Sequence, residues 1–457
     1  MQISPATQTE LAAPSRASVR ARVLGLAWPV MAESILQTLT QIISMMLVGH
    51  LGAGAVASIG LSMQPLFMFQ SLFMGAGVAA TAVVARATGA DNRRKVGQAS
   101  AQAMLTSTLI AAVGVVFILS RARWLVVIMG AEPDVIAQGT QYLLIMVPGL
   151  FFMWISTVLT GAMRGAGDTK TPMVINITIS LVSFVLNILL VYGLFGFPAL
   201  GVIGAGLATT IARVIGGIML LVPYLANRTV LPLKPSTDFR WDGAMQARLA
   251  RVGVGGIGER LIMSGAGVFY VRMVAVLGTT AYAAHSIGTN AEMITVMPGM
   301  AFGVAATTLV GQHLGAGRPD LAERDSWEAV RVAATVTGAI GLFYILAPGA
   351  ILRLYSSDAT IIRYASLYLI MMGFCQVHQS FGYVLAGSLR GAGDTNFVMW
   401  STLVGAWVMR VGLTYLLIMV FHVGLVGAWW AMTADTLTKA ILAVWRLRTG
   451  AWKRVTV

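Results

Sequence analysis

Only 11% of the 457 residues carry a charge, and the acids number just 17. A soluble chain of this length has roughly a quarter of its residues charged, so the shortage excludes an ordinary water-facing surface. Cysteine is down to Cys375 alone. That excludes an internal disulfide, and no Cys/His spacing suits zinc. Ten-residue stretches of alternating polarity are absent, which argues against an outer-membrane barrel. The chain also lacks a nucleophile elbow, a metal-ligand cluster and a phosphate loop, so it does not read as an enzyme and no cofactor is expected.

What remains is apolar, with 57% hydrophobic residues and a mean hydropathy of +0.80. Stretches long enough to cross ~30 Å of hydrocarbon as helices recur twelve times, at 23–48, 57–84, 99–119, 137–160, 172–193, 200–226, 250–276, 284–310, 329–349, 364–388, 396–420 and 425–446. The expected fold is an all-α polytopic membrane protein.

The net charge of +14 could suggest nucleic acid, but its placement argues otherwise. Basic residues crowd alternate loops, in clusters such as Arg86, Arg93, Arg94 and Lys95 or Arg446, Arg448, Lys453 and Arg454. The intervening loops hold only Arg121, Arg123, Arg353 and Arg363. The positive-inside bias then places both termini in the cytoplasm. The expected location is the inner (plasma) membrane, with membrane lipids as partners through a secondary attraction to anionic headgroups.

The chain repeats itself. "RGAGDT" begins at Arg164 and again at Arg390, an offset of 390 − 164 = 226. "GVAATAVVARATGA" (77–90) returns at the same offset as "GVAATTLVGQHLGA" (303–316), and "GVIGA" (201–205) answers "GLVGA" (424–428) at a slightly shorter one. Two six-helix halves follow, and an even count relates them by a pseudo-twofold along the membrane normal. The expected divisions are a loose tail (1–22), a first lobe (23–226), a linker (227–247), a second lobe (248–447) and a final tail (448–457). In the RGAGDT loops Arg164 and Arg390 sit at helix C-termini, where a cation complements the dipole. Asp168 or Thr169, and Asp394 or Thr395, can then N-cap the next helix. That is a structural role.

The halves, the paired RGAGDT loops, "LVGHLGAGAVASIGL" and "PGMAFGVAATTLVGQHLGAG" together resemble the multidrug and toxic compound extrusion (MATE) family over about residues 20–447. The resemblance implies a V-shaped secondary antiporter that exports small organic cations and amphipathic compounds in exchange for H⁺ or Na⁺ and is expected to work as a monomer. A broader superfamily includes flippases for lipid-linked precursors, which is the alternative reading. The resemblance also makes Glu259, in "GGIGERLIMSGAG", the coupling carboxylate, and it maps the relatives' acidic or amide pair onto Ser183 and Asn187. Ser44 and Gln379 stand where relatives carry aspartates.

Acids inside apolar runs are costly and are functional hypotheses by default. They are Glu33, Glu259, Glu292 and Asp435. Glu33 is the repeat twin of Glu259, since 33 + 226 = 259. Glu259 could instead pair with Arg260, Arg213, Arg272 or Arg410. Glu292 is expected to ion-pair with a neighbouring helix, and Asp435 with Lys439 at i, i+4. His378 either titrates or bonds a neighbouring helix as neutral imidazole. Tyr270 could face a cationic substrate.

Overall fold

Apolar segments in lipid can satisfy every backbone group internally as helices, and the chain does so throughout. The computed structural model describes residues 15–49, 53–130, 133–193, 196, 198–356 and 358–455, and no strand occurs among them. One lobe comprises α1 (Arg16–Gly49), α2 (Ala53–Gly89), α3 (Arg93–Ile128), α4 (Pro133–Gly165), α5 (Lys170–Tyr192) and α6 (Gly201–Leu225). The other comprises α7 (Gly243–Ala275), α8 (Thr279–Gly315), α9 (Pro319–Leu346), α10 (Ala359–Gly391), α11 (Thr395–Val420) and α12 (Leu425–Thr449). Among the described residues nine of these helices are long and apolar enough to cross a membrane. Charged side chains inside α7 and α12, Glu259, Arg260, Asp435 and Lys439 among them, lower the apolarity of those two.

The repeat is visible bond by bond. Thr81 Oγ1 donates to the carbonyls of Gly77 (2.9 Å) and Gly161 (2.8 Å). Thr307 Oγ1 donates to those of Gly303 (2.9 Å) and Gly387 (2.8 Å), each partner displaced by 226. These bonds fasten α2 to α4 and α8 to α10, with glycines allowing the backbones to meet. The RGAGDT turns are alike as well. Gly167 and Gly393 take φ of +95° and +83°, while Asp168 and Asp394 return their N–H groups to the carbonyls of Met163 (2.9 Å) and Leu389 (2.8 Å). This is a glycine helix stop.

The lobes meet at the end that carries the RGAGDT loops. The α2 and α7 backbones approach through Gly75 and Gly256, and α8 reaches α2 at Gly311 against Ala85. Thr308 donates to the Arg164 carbonyl (2.9 Å), Gln312 to that of Gly165 (3.1 Å) and Arg86 to that of Ala392 (3.0 Å). Among the described residues, the inter-lobe hydrogen bonds and ion pairs all lie at this end.

Three boundaries depart from expectation. Helix α1 begins at Arg16, not near residue 23, because Val19 and Val23 are fully buried in the opposite lobe's core beside Phe302 and Leu309. Arg20 and Arg22 reach Glu328 (2.5 Å) and Asp325 (3.5 Å) of α9. The linker is ordered, with a short helix at Pro235–Asp238, and its backbone is held to α3 by Gln102 at the carbonyls of Asp238 and Arg240 (2.7 Å each). Helix α7 starts within it, N-capped by Asp242 at the amides of Ala244 (2.9 Å) and Met245 (3.1 Å). After α12, which runs to Thr449, the chain turns through Ala451–Arg454 with Trp452 fully buried.

Candidate functional site

Carboxylates within the helices need partners, and the structure supplies a different kind for each. Glu33 of α1 accepts from Arg164 (2.7 Å) and from Asn176 of α5 (3.0 Å). Its twin Glu259 of α7 accepts from both Arg390 nitrogens, Nε at 3.1 Å and Nη2 at 2.5 Å. Each pair spans the same 131 positions. The RGAGDT arginines are therefore more than complements to a helix dipole, because each neutralises its lobe's glutamate. Glu259 pairs with none of the four arginines expected for it. These pairs sit at the closed end, where Arg164 and Arg390 keep 19% and 24% exposure.

The loop aspartates diverge. Asp168 Oδ1 caps α5 through the amides of Lys170 (3.1 Å) and Thr171 (2.9 Å). Asp394, one of the two residues expected to cap there, makes no side-chain cap and instead binds Arg446 of α12 at 2.7 Å.

Deeper in the second lobe Glu292 of α8 is 4% exposed. It forms no ion pair among the described residues, contrary to expectation. Tyr368 Oη donates to one carboxylate oxygen and Gln379 Nε2 to the other at 2.9 Å, both from α10. The backbone on its N-terminal side is fixed by Tyr344 of α9, which donates to the Ala291 carbonyl (2.8 Å). The available cation is engaged elsewhere. Arg410, on a π-helical stretch of α11 (Val404–Gly412), binds the fully buried Asp435 at 2.6 Å and caps the face of Tyr270 at 5.9 Å. Lys439 binds Asp435 from the other side at 2.7 Å, the expected i, i+4 bridge. Tyr270 thus has the chain's own arginine over its ring, and its hydroxyl donates to the Ala428 carbonyl (3.3 Å).

His378 bonds Thr436 of α12 (3.0 Å), the bland alternative raised for it. Ser44 is half-buried on α1, in the other lobe from Gln379. In the first lobe Asn187 donates to the Ser183 carbonyl (2.8 Å) and hydroxyl (3.3 Å). Among the described residues its buried Oδ1 has no hydrogen-bond partner, and neither does Arg213 Nη1. Arg260 is half-buried and Arg272 exposed.

The structure therefore joins Gln379 to Glu292, separates both from Glu259, and sets Ser183 and Asn187 in the opposite lobe. Glu292 was visible as an acid in an apolar run. The donors around it were not, because they come from a helix some eighty positions away.

Comparison with known proteins places this arrangement. The MatE family model matches residues 29–192 and 257–416. A multidrug resistance protein NorM of Burkholderia vietnamiensis is 30% identical over 98% of this chain and 97% of its own. A probable multidrug resistance protein NorM of Thermotoga maritima is 28% identical over 95% and 94%. Among solved structures, an outward-facing multidrug resistance transporter superposes with a TM-score of 0.88 at 24% identity, covering 95% of this chain and 96% of that one. A transporter of the same superfamily from Pyrococcus furiosus gives 0.87 at 24% identity, covering 96% and 97%.

Proposed function

The chain belongs to the MatE family, the multidrug and toxic compound extrusion transporters, and from that premise we propose a secondary antiporter that exports cationic or amphipathic organic compounds in exchange for H⁺ or Na⁺. The observation that carries the reading is the pair of repeated lobes which, among the described residues, bond to each other at one end. Parting that end while the opposite end closes opens a path to each face in turn. The multidrug resistance name of the Burkholderia relative supports a drug-like cargo. The basic loops support a cytoplasmic RGAGDT end in the inner membrane.

For coupling the geometry favours Glu292 over the other acids. A buried carboxylate costs free energy unless its charge is compensated, and neutral donors such as Tyr368 and Gln379 bond it without cancelling that charge. One proton or one Na⁺ would. Glu259, expected from the resemblance to do this work, is already neutralised by Arg390 and takes part only where that pair opens.

The test is substrate efflux from proteoliposomes under separately imposed pH and sodium gradients. Glu292→Gln should bind substrate yet lose gradient-driven export, whereas Glu259→Gln keeps a measurable rate. Wild-type export by Glu292→Gln would return the coupling role to Glu259.

A second reading, a flippase for a lipid-linked precursor, rests on Arg213 of the first lobe, whose buried Nη1 lacks a partner among the described residues. Competition by an anionic lipid-linked sugar, with none by organic cations, would favour it.

A further inference from the structure

The two lobes differ at one place where their symmetry would supply a charge. The last helices of the lobes align at an offset of 223. Gly201 opens the first and Gly424 stands just before the second, with φ of +54° and +74°, and Asn227 and Gly450 follow their ends with +56° and +68°. The same offset links two closing bonds, Asn227 N–H to the Tyr224 carbonyl (3.0 Å) and Gly450 N–H to that of Leu447 (3.2 Å). By this alignment the counterpart of Arg446 is Pro223. In the second lobe Arg446 binds the loop aspartate Asp394. In the first lobe the equivalent aspartate, Asp168, has no ion pair among the described residues, and its Oδ2 has no partner.

A cavity of about 290 Å³ stands there, lined by Asp168, Thr171, Pro223, Met219, Leu220 and Arg228 among others. Asp168 and Arg228 are not within ion-pair distance of each other, so one cavity presents an anion and a cation that do not cancel. Met219, Leu220 and Pro223 give it an apolar side, and it lies at the RGAGDT end of the lobe, where the helices leave the apolar layer.

We propose that this cavity binds the headgroup of a membrane aminophospholipid, with the ammonium on Asp168 and the phosphate on Arg228. The lipid's ammonium takes the place that the Arg446 guanidinium fills in the other lobe. The site does not depend on which compound the protein exports. A primary ammonium brings N–H donors to the carboxylate, and a trimethylammonium brings none. Phosphatidylethanolamine should therefore be preferred over phosphatidylcholine.

The measurement is native mass spectrometry of the purified full-length protein given equal amounts of phosphatidylethanolamine, phosphatidylcholine and phosphatidylglycerol with identical acyl chains. Wild-type protein should retain ethanolamine lipid over choline lipid roughly fivefold, the ratio for an ion pair at a half-exposed site. Asp168→Asn, which keeps the cap acceptor, should bring that ratio to about one, and Arg228→Gln should lower every phospholipid adduct. Pro223→Arg rebuilds the arrangement of the second lobe and should abolish the preference even if Asp168→Asn fails to fold. Asp394→Asn should leave it unchanged. An even ratio in the wild type, or a preference surviving both Asp168→Asn and Pro223→Arg, would overturn the assignment.

Discussion

Glu33 and Glu259 are each held by an arginine 131 positions downstream; Glu33 is buried, while Glu259 and both arginines keep some exposure. Removing one partner from a fully buried pair costs about 3–5 kcal/mol, and from an exposed pair about 0–1. Arg390→Gln or Glu259→Gln should therefore destabilise by an intermediate amount, about 1–3 kcal/mol, and the double variant by less than the sum. Thermal unfolding of the four proteins in a double-mutant cycle measures this, and strict additivity would show that the pair contributes nothing of its own. Glu33→Gln should be felt less than Arg164→Gln. The glutamine retains a bond to Asn176, whereas losing the arginine leaves a carboxylate unneutralised. Both members of each pair were readable as repeat twins. Their pairing was not, because a helix-end arginine already has a local explanation in the dipole and nothing in a linear pattern points it back 131 positions.

At the scale of helices, close backbone contact does the fastening. A methyl added at Gly161 would run into the backbone of Gly77, and one at Gly387 into the Gly303 carbonyl. Gly161→Ala and Gly387→Ala should each cost about 1–3 kcal/mol, the usual range for overpacking. Because the contacts are repeat-equivalent, the two losses should be similar, and a unilateral effect in thermal unfolding would contradict the shared role. The repeat, the twelve helices and the RGAGDT turns were legible because they depend on local pattern, namely apolar length and glycine where φ is positive. The surroundings of Glu292 were not. Tyr368 and Gln379 lie on one face of α10, eleven positions apart, and nothing in the apolar run says which helix that face meets. The early start of α1 escaped notice for a related reason. Arg16 to Arg22 read as a charged tail until their partners on another helix are known.

At the scale of the whole molecule, the ion pairs between α1 and α9 cross the lobe boundary. Asp325 is fully buried and accepts from Arg22 of one lobe and His313 (2.9 Å) of the other. Glu328 joins Arg20 to Arg331 of its own helix (2.9 Å). Alternating access requires this contact to part, so Asp325→Asn should favour the state open at the RGAGDT end. A change of about 1 kcal/mol shifts that population roughly fivefold. Spin labels at the exposed positions Lys170 and Asn396 would report it as a second, longer distance. An unchanged distance distribution would remove α1 from the closing mechanism.

That same contact sets an order on synthesis. Arg22 leaves the ribosome 303 residues before Asp325 exists, and at roughly 5–20 residues per second the wait is about 15–60 s. Throughout that interval Val19 and Val23 have no core to enter, since the cluster that buries them is built by α8, α9 and α10. A segment made before all of its partners is thus among the last to lock. A nascent chain arrested before α8 should be cut by protease near Arg20, at a site that the finished protein protects.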